Sequence, residues 1–115
     1  MHTVCETHAF RRASMQASMT EEDINEVVSM LAENPAAGDE IAGTGGCRKV
    51  RIAGRGMGKS GGFRMITFFT GDALPVFLVT AFSKGERANL PKSELNKLRD
   101  ITKTIVATYQ TRGTI

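Results

Sequence analysis

The sequence has 115 residues, 41% of them hydrophobic and 23% charged, which suits one domain with one modest core. Its longest apolar run, VFLV at residues 76–79, is far below the roughly 18–20 residues that a membrane span needs. The N-terminus has neither the basic start nor the apolar stretch of a signal peptide. We therefore expect a cytoplasmic protein without a membrane partner. Cys5 and Cys47 form no close pair, so we expect no disulfide.

Basic and acidic residues are segregated along the chain. Residues 1–45 contain two basic and eight acidic residues, whereas residues 46–115 contain thirteen basic and four acidic ones. Residues 46–64 hold six basic residues and no acidic residue. A stretch of one sign attracts polyanions, because phosphates are drawn to it through space and release counterions on contact. The second half therefore indicates a nucleic-acid footprint, with a solvated strand face as the alternative.

The first half predicts one short strand followed by two helices. Residues 3–6 are strand-like, and Thr7 can cap a helix that extends to about residue 17. Thr20 begins the second helix, because Asp23 stands at the capping-box spacing and the first turn is acidic. Apolar residues at positions 24, 27, 28 and 31 form one stripe on this helix. Pro35 then ends it, and residues 36–46 are expected to form a polar link.

The second half predicts an antiparallel meander of three strands and a last helix. Residues 47–52 alternate between the two faces of a strand, and residues 63–69 form a second strand after a glycine-rich loop. A turn at Gly71 and Asp72 precedes the third strand, residues 75–82, which is expected to be central because it lacks polar alternation. Pro91 fits the first turn of the last helix.

These elements predict one α+β domain over residues 1–115. Its parts are a small antiparallel sheet, two N-terminal helices and a C-terminal helix, and we expect the helices to pack on one side of the sheet.

Two motifs that suggest cofactors fail on their context. Residues 56–61, GMGKSG, match the letters of a dinucleotide-binding loop and end like a phosphate-binding P-loop. The P-loop requires glycine where this chain has Ala53, and both motifs require a following helix, whereas residues 63–69 are strand-like. His2 and His8 have no third metal ligand at a useful spacing. We therefore expect no cofactor and no metal.

The reactive side chains of the basic half narrow the possible chemistry. This half has no histidine and no carboxylate pair, which disfavours triad hydrolases, glycosidases and metal-dependent nucleases. Arginine and lysine suit RNA cleavage by the substrate's own 2′-hydroxyl. Arginine can stabilise the charge on the phosphorane, and a lysine among other cations can act as a base. The composition permits this reaction without proving it.

Two segments carry a resemblance to a known family. Residues 43–51 are GTGGCRKVR and residues 56–66 are GMGKSGGFRMI. Together they resemble the central block of toxins of the RelE/ParE superfamily, and among these the HigB-like toxins. Residues 36–41, AAGDEI, and residues 82–90, FSKGERANL, are similar to the segments that flank this block. The resemblance covers residues 3–109.

The resemblance implies a fold like that of microbial ribonucleases and the toxin role in a type II toxin–antitoxin system. Such a toxin would be a metal-independent endoribonuclease that cleaves translated messenger RNA on the ribosome and inhibits translation. Its implied partners are the ribosome, messenger RNA and a cognate antitoxin, in this branch usually a helix-turn-helix protein. Operator DNA would be contacted only through that antitoxin.

The resemblance also assigns candidate site residues by position. Arg64 matches an arginine that contacts the scissile phosphate, and Lys49 and Arg51 match a basic pair on the preceding strand. With Lys84, which matches a basic residue after the last strand, these are the candidate catalytic residues; which lysine acts as the base stays open. The candidate RNA or ribosome contacts are Arg48, Arg55, Lys59 and Arg87.

The sequence departs from the family at the aromatic positions. Some relatives have a tyrosine near the C-terminal end that serves the reaction, but Tyr109 falls on the apolar stripe of the last helix. Phe68 or Phe69 stands where look-alikes often have a hydroxyl-bearing aromatic residue. These departures leave two alternatives open. One is a degenerate toxin that only binds its antitoxin and operator DNA, and the other is a ParE-like inhibitor of DNA gyrase.

Overall fold

The chain forms an α+β fold in a computed structural model that describes residues 2–53, 62–71, 74–83 and 91–113. The elements in this part of the chain are β1 Val4–Glu6, α1 His8–Gln16, α2 Glu21–Glu33, β2 Asp39–Glu40, β3 Cys47–Ile52, β4 Phe63–Phe68, β5 Val76–Ser83 and α3 Lys92–Gly113. The predicted fold class is confirmed. The polar link contains β2, a two-residue strand that the sequence analysis missed.

Threonine caps fix the beginnings of the first two helices, as predicted. The hydroxyl of Thr7 accepts a hydrogen bond from the backbone N–H of Phe10 at 3.1 Å and donates one to the carbonyl of Leu78 at 2.7 Å. Thr20 and Asp23 form a reciprocal capping box, with distances of 3.1 and 2.9 Å. Both caps satisfy N–H groups that have no partner inside the helix. The Thr7 cap also ties α1 to β5.

The five strands form one sheet in the order β1-β5-β4-β3-β2. The meander of β3, β4 and β5 is antiparallel, as predicted, and β1 adds to the outer edge of β5 in parallel. β5 is largely buried, as predicted, but it is an interior strand between β1 and β4, and β4 is the central strand. β2 pairs with only two residues of β3, Arg48 and Lys49. The outer edge of β3 is therefore uncovered by β2 beyond Lys49.

The helices cover both faces of the sheet, so the expectation of helices on one side was wrong. On one face, Phe10 of α1 and Leu31 of α2 pack with buried residues of β3, β4 and β5 such as Val50. On the other face, Leu98 of α3 packs with alternate strand residues such as Ile66. Side chains of successive strand residues point to opposite faces. Both faces of this sheet carry buried apolar residues, and helices cover these residues on both faces.

The turn before β3 fastens α3 to the sheet. Buried Thr44 donates a hydrogen bond to the carbonyl of Ile41 at 2.7 Å and accepts one from the N–H of Cys47 at 3.1 Å. The hydroxyl of Thr102 on α3 reaches the carbonyl of Thr44 at 3.0 Å. Gly46 has a φ of +133°, and a Cβ there would lie 2.9 Å from the Phe68 ring. The Thr44 and Gly46 positions of the GTGG segment thus stabilise the packing of the fold.

Further expectations concern the last helix, the cysteines and membrane spans. The apolar stripe of α3 is only partly buried, because Ile101 is 38% exposed. Cys5 and Cys47 are both free, as expected. Burial raises the pKa of the Cys47 thiol, and the hydrogen bond with Thr44 acts in the opposite direction. Among the described residues, no helix combines the length and the apolarity that a bilayer crossing requires.

Candidate nucleic-acid cleavage site

Three of the predicted catalytic residues meet on one face of the sheet. Arg51 of β3 lies directly opposite Arg64 of β4, and Lys49 lies two residues before Arg51 on the same strand. Because side chains alternate along a strand, Lys49, Arg51 and Arg64 share a face. Arg51 is exposed, and Lys49 and Arg64 are half-buried. The structure therefore brings these three candidate residues together on two neighbouring strands.

The cluster lines an open groove at the edge of the sheet. The groove has a volume of about 490 Å³ and extends between α2, the link before β2, and strands β3 and β4. Its lining residues are Met30, Ala37, Gly38, Asp39, Lys49, Val50, Arg51 and Arg64. The groove opens beside Asp39, the first residue of β2, because β2 pairs with β3 only as far as Lys49.

The charges of the cluster are not neutralised by a carboxylate. Among the residues that the structure describes, no carboxylate oxygen lies within 4.0 Å of a charged nitrogen of Lys49, Arg51 or Arg64. Arg51 and Arg64 face each other across two strands, and like charges in this position repel. A phosphate between the two arginines would remove that repulsion, because guanidinium groups bind phosphate oxygens in a planar fork. The groove is suited to an anion.

Arg48 does not belong to this cluster. It stands between Cys47 and Lys49 on β3, so its side chain points to the opposite face of the sheet. There its guanidinium donates to the carboxylate of Glu40 at 3.0 Å, and the side chain is only 20% exposed. The predicted RNA or ribosome contact at Arg48 is thus separated from the groove and engaged in an ion pair within the fold.

The remaining site predictions fall outside the described residues. These are the catalytic candidate Lys84 and the candidate RNA or ribosome contacts Arg55, Lys59 and Arg87. Lys84 directly follows the last residue of β5, Ser83. These four assignments stay predictions.

Four residues of the groove lining come from the acidic half and were not among the predicted site residues. Met30 comes from α2, and Ala37, Gly38 and Asp39 come from the link that was expected to be irregular. Gly38 has a φ of +96°, and a Cβ there would lie 2.6 Å from the backbone oxygen of Lys49. Only glycine permits so close an approach. The Gly–Asp pair was visible as part of the resemblance, but its pairing with β3 was not.

The aromatic residues of the departing positions are part of the core. Tyr109 packs edge-to-face on Phe77, with ring centroids 5.3 Å apart, and its hydroxyl lies 4.0 Å from the sulfur of Cys5. Phe68 is 1% exposed. The expectation that Tyr109 is a core residue is confirmed. Among the described residues that line the groove, none has a phenol or an imidazole.

The donor set of the groove also bears on metals. Within the described ranges, no three His, Cys, Asp or Glu residues lie close enough together to hold a metal ion. The groove contains a single carboxylate, Asp39, among its described lining residues. Its cations repel a metal and attract the phosphate of a substrate.

The chain matches a family model over nearly its whole length. The model of the RelE toxin of the RelE/RelB toxin–antitoxin system matches residues 2–112. The chain therefore belongs to the RelE toxin family. A member of this family is the toxin of a toxin–antitoxin pair, so the expected partner includes a cognate antitoxin.

A solved structure agrees in fold. It is that of the E. coli toxin RelE, a double arginine-to-alanine mutant in the free state, with a TM-score of 0.54. The two chains are 16% identical, and the similarity covers 88% of this chain and 96% of that one. At this identity the likeness concerns the fold, which it confirms as the RelE fold.

Proposed function

We propose that this toxin is a ribosome-dependent endoribonuclease that cleaves translated messenger RNA without a metal cofactor and so inhibits translation. The observation that carries the proposal is the groove in which Lys49, Arg51 and Arg64 converge. No carboxylate among the described residues forms an ion pair with them, so their charges are available to bind a phosphate.

The reaction needs no nucleophile from the protein. The 2′-oxygen of a ribose attacks the adjacent phosphorus, and the bond from phosphorus to the 5′-oxygen of the next nucleotide breaks. The products are a 2′,3′-cyclic phosphate and a 5′-hydroxyl. A base takes the proton of the 2′-hydroxyl, and an acid protonates the leaving oxygen.

The positions of the three residues suggest their roles. Arg51 and Arg64 face each other and can bind the non-bridging oxygens, where negative charge grows in the phosphorane. Removing such a preorganised charge partner typically costs about 100- to 1,000-fold in rate. Lys49 lies beside them and is one candidate for the base; Lys84 is the other.

The limited set of catalytic groups favours dependence on the ribosome. The described lining of the groove offers no phenol and no imidazole. The cleavage rate of such a site increases most when a second macromolecule holds the 2′-oxygen in line with the leaving oxygen. Alignment alone can contribute several orders of magnitude to the rate. A translating ribosome presents messenger RNA in such a fixed geometry. The protein would accordingly act in the cytoplasm.

The partners follow from the family and from the resemblance. We propose that the cognate antitoxin is a helix-turn-helix protein and that operator DNA is contacted only through it.

The two alternative functions, a gyrase inhibitor and a degenerate toxin, would not require the cationic groove in its present form. A ParE-like gyrase inhibitor would not need the clustered cations of β3 and β4, and a degenerate toxin would not need them unpaired.

The test is a cell-free translation system in which messenger RNA ends are mapped by primer extension. We expect cuts within translated codons that disappear when initiation is blocked. A message with a 2′-deoxynucleotide at one mapped site should resist cleavage at that site only, because it lacks the nucleophile. Arg64→Ala should reduce cleavage at least about 100-fold.

Arg12→Ala is the matched control, because Arg12 is an exposed arginine on α1, away from the groove lining. It should cleave like the wild type. Intact messages with continued translation would contradict the proposal, and gyrase-dependent DNA breaks would favour the ParE-like alternative.

A further inference from the structure

An acid lies in the cationic groove. Asp39 of β2 stands directly opposite Lys49 of β3 and lines the same groove as Arg51 and Arg64. Its side chain is exposed, and in the part of the chain that the structure describes it forms no ion pair within 4.0 Å. A carboxylate repels the phosphate that the three cations attract. It therefore weakens phosphate binding unless it contacts another part of the substrate.

The position of Asp39 is fixed by the backbone. Gly38 approaches the carbonyl of Lys49 so closely that a Cβ would lie 2.6 Å from it. Paired with Lys49, Asp39 is displaced from the facing arginines by two residues along β3, which is about 7 Å. This distance separates the carboxylate from a phosphate held at Arg51 and Arg64. It leaves the carboxylate within reach of a base attached to the same or the next ribose.

An apolar side chain borders the same space. Met30 of α2 is 37% exposed and lines the same groove. Its thioether is flexible and polarisable, and such a side chain packs favourably against a flat aromatic ring. In addition to the three cations, the lining of the groove thus offers an apolar contact at Met30 and a hydrogen-bond acceptor at Asp39.

We propose that Asp39 and Met30 read the base of a nucleotide next to the scissile phosphate, an inference that rests on the proposed function. Met30 packs on the face of the base, and the Asp39 carboxylate accepts hydrogen bonds from its edge. An ionised carboxylate only accepts. Guanine fits best, because its N1–H and exocyclic amino group donate side by side; uracil fits worst, because carbonyls flank its single N–H.

The neighbouring acid Glu40 provides a matched control. It precedes the same turn and has the same charge, but its carboxylate binds Arg48 on the opposite face of the sheet. Glu40→Gln therefore removes one negative charge from β2 without changing the lining of the groove.

The experiment uses the full-length protein in the cell-free translation system. Messages carry each of the four bases in turn around a mapped site, and cleavage at each is measured by primer extension. For the wild type we expect guanine to be preferred over uracil at one position beside the cut. Asp39→Ala should lower this ratio about tenfold, the usual discrimination of a two-bond base contact.

Two further variants sharpen the result. Asp39→Asn, which is isosteric, should move the preference toward adenine, because an amide both donates to and accepts from the edge of that base. Met30→Ala should lower cleavage of all four messages by a similar factor, since stacking does not depend on the edge. Glu40→Gln should keep the preference of the wild type.

An unchanged ratio of guanine to uracil in Asp39→Ala would overturn this inference while leaving the cleavage proposal intact. Loss of antitoxin binding in Asp39→Ala, with the base ratio unchanged, would overturn it equally and assign the acid to the protein interface. Absence of any ribosome-dependent cut by the wild type would refute the proposed function and this inference together.

Discussion

Two neighbouring segments, residues 36–40 and residues 41–47, have opposite roles. The turn of residues 41–47 stabilises the fold, because Thr44 is fully buried and hydrogen-bonded to Ile41, Cys47 and α3. The link of residues 36–40 instead opens onto solvent, and its Gly38 and Asp39 line the cationic groove. Both belong to the segment that resembles toxins. The resemblance therefore mixes residues that build the fold with residues that are available to a substrate.

The same division exists between adjacent residues of β3. Arg48 is paired with Glu40, whereas Lys49 and Arg51 lie in the groove without a carboxylate within 4.0 Å among the described residues. A charge that the fold has already paired gains little from a substrate. An unpaired charge beside others of the same sign is stabilised when an anion arrives.

The largest loss of stability is expected at Gly38. Gly38→Ala places a Cβ 2.6 Å from the Lys49 oxygen at a φ of +96°, so backbone strain and a steric clash combine. We expect a loss of about 2–3 kcal/mol in the free energy of unfolding, measured by urea denaturation.

Gly43→Ala is the matched control for Gly38→Ala. Gly43 also has a positive φ, +81°, but a Cβ there meets nothing within 4 Å. It should cost only the conformational part, about 1 kcal/mol. Equal losses in the two variants would contradict the close approach of the link to β3.

The next effect concerns the docking of α3. Thr102 is only 4% exposed, and its hydroxyl is shared between the carbonyl of Thr44 at 3.0 Å and that of Arg99 in its own helix at 2.7 Å, so Thr102→Val should cost about 1–2 kcal/mol. Thr104→Val is the control, since the Thr104 hydroxyl bonds only to its own helix at an exposed position. The comparison is made by thermal unfolding. A Thr102→Val protein as stable as Thr104→Val would show that the turn does not hold the helix.

A smaller effect is expected for the pair that the fold has neutralised. Arg48→Ala should destabilise by about 0.5–1 kcal/mol, because Glu40 is 75% exposed and its charge remains hydrated after the loss. Unfolding at low and high salt measures this, and high salt should reduce the difference between the two proteins. A loss that is independent of salt would indicate that packing of the Arg48 stem, not its charge, is what stabilises.

The smallest effect is expected from Cys47 at alkaline pH. Burial raises the pKa of this thiol above 9.0 in the folded state, so folding favours the neutral form. The contribution of the neutral Cys47 thiol to the free energy of unfolding is therefore fully present below about pH 9. It is lost as the pH rises through the pKa of the folded state. In Cys47→Ala the free energy of unfolding should decline less steeply above pH 9. Parallel declines in both proteins would refute this.

Much of this architecture was predictable, and the failures have physical causes. The caps at Thr7 and Thr20 are local signals, and so is the alternation that groups Lys49 with Arg51. The same alternation separates Arg48 from that pair, a signal that the sequence analysis did not use. The face of the sheet that α3 covers was not predictable, because an apolar stripe shows which side of a helix is buried but not what it meets.

The groove itself was only half predictable. Its cations follow from the alternation of β3 and from the resemblance, but the position of Asp39 beside them depends on the pairing of a two-residue strand. Asp39 and Glu40 alternate too briefly to give a periodic signal. Long-range pairing brings the acidic half of the chain to the basic half at this point.

The central claim is that the groove side of β3 acts on RNA and that its other side does not. The most direct measurement compares Arg51→Ala with Arg48→Ala in the same translation assay, at a temperature at which both proteins are folded. These variants remove the same side chain from one strand, three positions apart. We predict that Arg51→Ala reduces cleavage about 100-fold and that Arg48→Ala stays within about threefold of the wild type. Equal losses in both variants, or a larger loss for Arg48→Ala, would contradict the account.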